Sequence, residues 1–173
     1  MTAKLFPPVE LGGVTLPNRI VVSPMCQYSA VDGNAQPWHH VHYGSLAMSG
    51  AGLVCFEATH VEREGRITQG CLGLYSDENE AALKPVVEWA RAWMPHVKLG
   101  IQLGHAGRKA SSPRQFDKPD EFGPKGANWQ RWQVYGPSAL SAGERYSETP
   151  IALDVAQMEA IAPVETPTVT KVM

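Results

Sequence analysis

Ser23-Pro24-Met25-Cys26-Gln27-Tyr28 directly follows the apolar run Ile20-Val21-Val22, so a thiol and a phenol arrive together where a strand should end. In parallel α/β folds, ligands bind at the carboxyl ends of the strands, because the loops there vary while the strands hold their positions. This stretch therefore points to an α/β fold built on a parallel sheet and to a candidate site at one end of that sheet.

Outward from it, strand-like and helix-like segments alternate. Arg19 to Val22 reads as a first strand, ended by Pro24; after the turn at Asp32-Gly33-Asn34 a helix starts at Pro37, a residue suited to a first helical position. Trp38, Val41, Ser45 and Met48 recur at helical spacing, and Gly50 and Gly52 end the segment. Leu53 to Ala58 is a continuous apolar run apart from Glu57, as in a strand buried on both faces. Asp77 followed by Glu80 resembles a capping box, and Leu83, Val87, Ala90 and Met94 form a helical stripe that Pro85 should kink or restart. Val97 to Leu103 alternates, with Val97, Leu99, Ile101 and Leu103 on one side. A Gly- and Pro-rich stretch from Ser111 to about Asn128 reads as a lid or binding loop, and Val134 to Leu140 leads to a helix from Asp154 to Ile161. The order β-α-β-α-β-loop-α predicts right-handed crossovers.

Composition narrows the function classes. The 15 basic and 17 acidic residues are dispersed and leave a formal charge of -2, which offers no basic stripe for nucleic acid and no polybasic patch for a membrane. Lys109, Arg114, Lys118, Lys125 and Arg131 with Trp129 and Trp132 mix charge and aromatics, but Asp117, Asp120 and Glu121 interleave them, so a solvated substrate-side loop is the reading. There is no bilayer-length apolar run and no signal-peptide core, so the expected location is cytoplasmic. Cys26, Cys55 and Cys71 are odd in number with no Cys-x-x-Cys pair, which predicts reduced thiols, with Cys55 and Cys71 structural. His39, His40 and His42 lack a carboxylate or thiol at matching spacing and read as packing or capping groups, not metal ligands.

Several motifs in order resemble the old yellow enzyme family of FMN-dependent ene-reductases, in the subgroup of the xenobiotic reductases and bacterial NADPH dehydrogenases. They are Leu16-Pro17-Asn18-Arg19-Ile20, Ser23 to Tyr28, Trp38-His39-His40-Val41-His42, Glu57-Ala58-Thr59, Gly65-Arg66-Ile67-Thr68 and Ile101 to Lys109, within a resemblance running from about Leu5 to about Met158. The resemblance implies a TIM (β/α)8 barrel with FMN at its carboxyl-end mouth, reduced by NADPH or NADH, passing hydride to activated alkenes such as enones or nitro compounds. By position, Ser23, Pro24, Met25, Cys26 and Ala58 would line the flavin, and Gln102 would bond its pyrimidine edge. Cys26 would tune the potential, Tyr28 would meet the substrate and donate to a developing enolate, and Arg108 would orient the mouth.

On this reading residues 1–161 are the N-terminal part of a barrel, about three to four βα units, and residues 162–173 an atypical tail. The family's His-x-x-His or His-x-x-Asn pair after the fourth strand, and the phosphate site after strands seven and eight, have no counterpart in the sequence. The expectation is a truncated, impaired oxidoreductase; the alternative is a non-enzymatic half-barrel that associates with itself or a complementary chain through open sheet edges.

Overall fold

The computed structural model describes residues 4–114, 131–143 and 149–161. The chain opens with a hairpin, β1 (Val9–Leu11) antiparallel to β2 (Val14–Leu16). Gly12 and Gly13 form its turn at φ 55° and 81°, the left-handed region that two-residue hairpin turns require and that side chains resist. The βα pattern leaves this hairpin out, although two strand-like triplets flank a Gly-Gly pair.

The main sheet holds three parallel strands in the order β3 (Val21–Val22), β4 (Leu53–His60), β5 (Lys98–Gly104). The first is shorter than Arg19 to Val22, because Ile20 spends its carbonyl on the amides of Gly52 and Leu53 at 2.9 and 3.3 Å, where the crossover returns. Strand β4 runs two residues past Ala58, since Thr59 and His60 pair with Leu103 and Gly104. Its register shifts midway: Phe56 pairs with Ile101 and Ala58 with Gln102, leaving Glu57 as an extra residue, a β-bulge. The bulge has a visible consequence. Phe56 and Glu57 are consecutive, yet both reach Tyr43, which regular alternation would forbid.

Helix α1 (Pro37–Ala47) and helix α2 (Asp77–Trp93) cover one side of the sheet. The buried face of α1 is His39, Tyr43, Gly44 and Ala47, whereas the expected stripe of Trp38, Val41, Ser45 and Met48 faces outward. The cause is local. A Cβ on Gly44 would lie 3.2 Å from the Trp89 ring, so this position must stay small for α1 to close on α2, and Tyr43 beside it stacks on Phe56. The core gathers Tyr43, Val54, Phe56, Leu72, Leu83 and Val87, with Val97, Leu99 and Ile101 packed against it; Leu103, expected on the same side, is partly exposed.

Helix α2 is capped by Ser76 rather than Asp77. The Ser76 hydroxyl accepts the Asn79 N–H at 3.3 Å, and Asp77, Glu78 and Glu80 then occupy the first turn, where carboxylates suit the dipole. Pro85 neither ends nor restarts the helix; the residue four positions before it, Ala81, whose carbonyl loses the Pro85 N–H, lies on the exposed side. Leu83, Val87 and Ala90 are buried as the stripe predicts, and Met94 is the C-cap. Ser76→Ala is expected to cost about 1 kcal/mol in urea denaturation, and Asp77→Ala less than about 0.5 kcal/mol.

Farther on, β6 (Tyr135–Gly136) pairs in parallel with β7 (Ile151–Ala152), and α3 (Val155–Ile161) follows. Asp154 and Gln157 start that helix reciprocally: Asp154 accepts the Gln157 N–H at 2.8 Å and Gln157 accepts the Asp154 N–H at 2.9 Å. Most of the expected lid and the whole expected tail lie outside the described residues.

Candidate functional site

The predicted site residues converge on the carboxyl end of the three-stranded sheet. Ala58 and Gln102 are direct partners across β4 and β5. The Cys26 thiol hydrogen-bonds to the backbone of Ala58, which ties the segment leaving β3 to the same spot. Ser23, Met25 and Gln102 are exposed there, while Pro24, Cys26, Tyr28 and Ala58 are half-buried. Tyr28 adopts φ 54°, and Gly70 packs on its carbonyl so tightly that no side chain fits between them.

Cys26 also hydrogen-bonds to Cys71, a loop residue that sequence reading treats as merely structural. That bond, with help from backbone N–H groups and against the effect of burial, brings the Cys26 thiol down to about 7. Cys71 moves the opposite way, pushed up by the Cys26 hydrogen bond and by complete burial, and burial also raises Cys55. One thiol of the three is therefore poised to ionise near neutrality. Site-resolved alkylation with iodoacetamide, read by peptide mass spectrometry, should label Cys26 first, with a half-maximal rate near pH 7. Equal labelling of Cys55 at that pH would contradict this assignment.

Beneath Cys26 lies a buried polar group that the sequence reading does not single out. Glu57 is fully buried; its Oε2 accepts the Gln27 N–H at 2.9 Å and its Oε1 accepts the Tyr43 O–H at 3.1 Å. Tyr43 in turn accepts the Glu57 N–H at 2.9 Å. His39 Nδ1 lies 2.8 Å from the Gln36 amide nitrogen, a contact that caps α1 as expected of these histidines, and 3.2 Å from the Gln36 carbonyl oxygen; in the tautomer that accepts the Gln36 N–H, the ring proton is on Nε2, 3.6 Å from Glu57 Oε1. Burial pushes the Glu57 carboxyl up to about 7 and holds His39 below its ordinary value. The available signal was an acid inside an apolar run, since a buried carboxylate must find partners.

A second polar cluster borders the site. Arg63 Nε and Arg66 Nη1 both donate to Asp32 Oδ1, at 2.8 and 3.2 Å, and hold that carboxyl below the usual range, Arg63 foremost. The Arg66 guanidinium lies 5.8 Å from the Tyr75 ring and 5.4 Å from the Trp132 ring, beside a cavity of about 510 Å³. Arg108 donates to Ser138 Oγ at 3.0 Å and to the Leu140 carbonyl at 3.1 Å, fastening the segment around β6 to the end of β5.

Parallel strands joined through crossover helices, with these residues at their carboxyl ends, are the arrangement of the βα units of a TIM barrel. The chain belongs to the NADH:flavin oxidoreductase / NADH oxidase family, whose profile matches residues 4–158. It is 40% identical over 161 residues to an NADPH dehydrogenase of Bacillus pumilus, covering 92% of this chain and 41% of that protein. It is 36% identical over 160 residues to the NADH:flavin oxidoreductase FG08077 of Gibberella zeae, covering 92% and 38%. The chain thus spans about two fifths of the length of the curated relatives it matches. Morphinone reductase superposes with a TM-score of 0.72 at 28% identity, over 95% of this chain and 43% of that one. The old yellow enzyme of Pichia sp. AKU4542 gives 0.71 at 21% identity, a likeness of fold.

Proposed function

We propose that the chain carries the ring-facing part of an FMN site, in a protein that reduces activated C=C bonds with NADPH or NADH. The observation that carries this reading is the meeting of Cys26, Ala58 and Gln102 at the carboxyl ends of three parallel strands. The surface there suits a flat ring. Ala58 is small, Gln102 is exposed although it lies within a strand, and among the described residues nothing approaches within 4 Å of where a Cβ on Gly104 would be. Bound FMN would supply the hydride relay from nicotinamide to alkene.

The protein's own groups have separate tasks. Ser23, Pro24, Met25 and Ala58 would line the ring, with Ser23 and Ala58 small enough for close approach. The Gln102 amide would hydrogen-bond the pyrimidine edge. Cys26, ionising near neutrality, would place a variable charge beside the ring and so set its potential. Tyr28 would donate a hydrogen bond, then a proton, to the oxygen of an enone or nitro group as negative charge develops there. Cys26→Ala is expected to shift the potential of bound flavin, and Tyr28→Phe to slow alkene reduction about tenfold, roughly the worth of one hydrogen bond.

Gel filtration with added FMN, followed by a visible spectrum and anaerobic NADPH, tests the reading. A flavin band that co-elutes and bleaches supports it. A colourless peak whose elution depends on concentration favours the second reading, association of half-barrels. The observation behind that alternative is that β3 and β5 are the outer strands of the sheet, with Val21 and Leu103 exposed on them.

A further inference from the structure

Glu57 sits where two devices of the fold meet. The bulge between Phe56 and Ala58 turns its side chain toward α1, and its Oε2 holds the amide of Gln27, the residue directly after Cys26. Gln27 is gripped further: its side chain donates to the Met25 carbonyl at 2.9 Å and accepts from Trp38 Nε1 at 3.1 Å. The turn bearing Cys26 and Tyr28 is thus fixed from below by a carboxylate.

We propose that Glu57 is the positioning residue of this turn and that its carboxylate and the Cys26 thiol compete for a single negative charge. Two hydrogen-bond donors meet the carboxyl oxygens of Glu57. The Gln27 N–H and the Tyr43 O–H point at its oxygens, and His39 Nε2, which finds no hydrogen-bond partner, lies 3.6 Å from Oε1, where it donates in the tautomer that carries its proton there. The Tyr43 hydroxyl accepts the Glu57 N–H on its oxygen and donates its proton to Oε1. Such a set favours the anion, whereas burial and the nearby Cys26 favour the neutral acid. The remaining titratable groups in the neighbourhood are Cys71, bonded to Cys26, and His40 and His42, whose charge when protonated would act on His39 from within α1. Two acidic groups close together, the Cys26 thiol brought down to about 7 and the Glu57 carboxyl pushed up to about 7, lose their protons in linked steps. The role of the turn in catalysis rests on the flavin reading above; the coupling of Glu57 to Cys26 does not.

The test therefore uses the 173-residue chain without flavin. The rate of Cys26 alkylation by iodoacetamide is followed against pH by peptide mass spectrometry, in the native chain and in Glu57→Gln, with circular dichroism confirming the fold. In the native chain the profile should be broader than a single ionisation. In Glu57→Gln it should narrow to one step and its midpoint should fall by roughly half to one pH unit, because the competing charge is gone. If Glu57→Gln does not fold, Tyr43→Phe carries the test: it keeps the ring on Phe56, removes a donor that favours the anion, and should move the midpoint the same way. A turn that merely loosens would expose the thiol and raise its midpoint toward the ordinary value for cysteine. An unchanged or raised midpoint overturns the proposal, whatever the flavin experiment returns.

Discussion

Phe56→Ala is expected to destabilise the chain by about 3–5 kcal/mol, seen as a lower urea midpoint in far-ultraviolet circular dichroism. The ring is 1% exposed and stacks on Tyr43 with centroids 4.0 Å apart and planes at 22°. Its removal forfeits the burial of a whole aromatic group and leaves a cavity between β4 and α1. The loss would also spread, because Tyr43 is the group through which Glu57 is held, and a Tyr43 ring without its stacking partner is freer to leave that carboxylate. Trp93→Ala provides the contrast. Trp93 is 67% exposed at the end of α2, and its removal should stay within about 0.5 kcal/mol. A loss below about 1.5 kcal/mol for Phe56→Ala would mean that the core closes around the gap.

Gly70→Ala should cost about 3 kcal/mol, at the upper end of overpacking effects, and should displace the site as well. A Cβ on Gly70 would stand 2.4 Å from the Tyr28 carbonyl oxygen and 3.2 Å from its Cα. These are backbone atoms, so no rotamer change relieves the contact. Nor is Gly70 free to retreat, since its carbonyl accepts the Ala30 N–H at 2.9 Å and its amide is held by Thr68 Oγ1 at 3.0 Å. The strand-end segment must yield, and Cys26, two residues before Tyr28, would lose its register with Cys71. The loss is read by urea denaturation, and the displacement by a Cys26 thiol that becomes less reactive at pH 7. Gly104→Ala, with open space around the new Cβ, should change stability by no more than about 0.5 kcal/mol.

Much of this architecture is legible in the residues themselves. The parallel order of β3, β4 and β5 follows from apolar runs separated by helical spacings, and the site from a Cys and a Tyr just past a strand. What stayed hidden has physical causes. The inner face of α1 holds a histidine, a tyrosine, a glycine and an alanine, so hydrophobicity alone selects the wrong side; the deciding facts are the Trp89 ring against Gly44 and the cap made by His39. The partnership of Cys26 with Cys71 joins residues far apart in the chain through the loop folded over Tyr28, and no local pattern encodes it. The Glu57 bulge depends on how β4 meets β5, a property of two strands together. Ser76 was readable as a cap, but Asp77 beside it fits the same pattern.

Tyr28 holds its backbone at φ 54°, where a side chain is disfavoured by about 1–2 kcal/mol relative to glycine. A library of all twenty residues at this position, sorted only for resistance to heat or protease, should therefore enrich glycine and asparagine and discard the phenol. If the proposed flavin chemistry holds, sorting for turnover of an enone should return tyrosine. The two screens would rank the same variants in opposite order, so a thermostabilised descendant of this chain obtained by folding selection alone would tend to lose the Tyr28 phenol first.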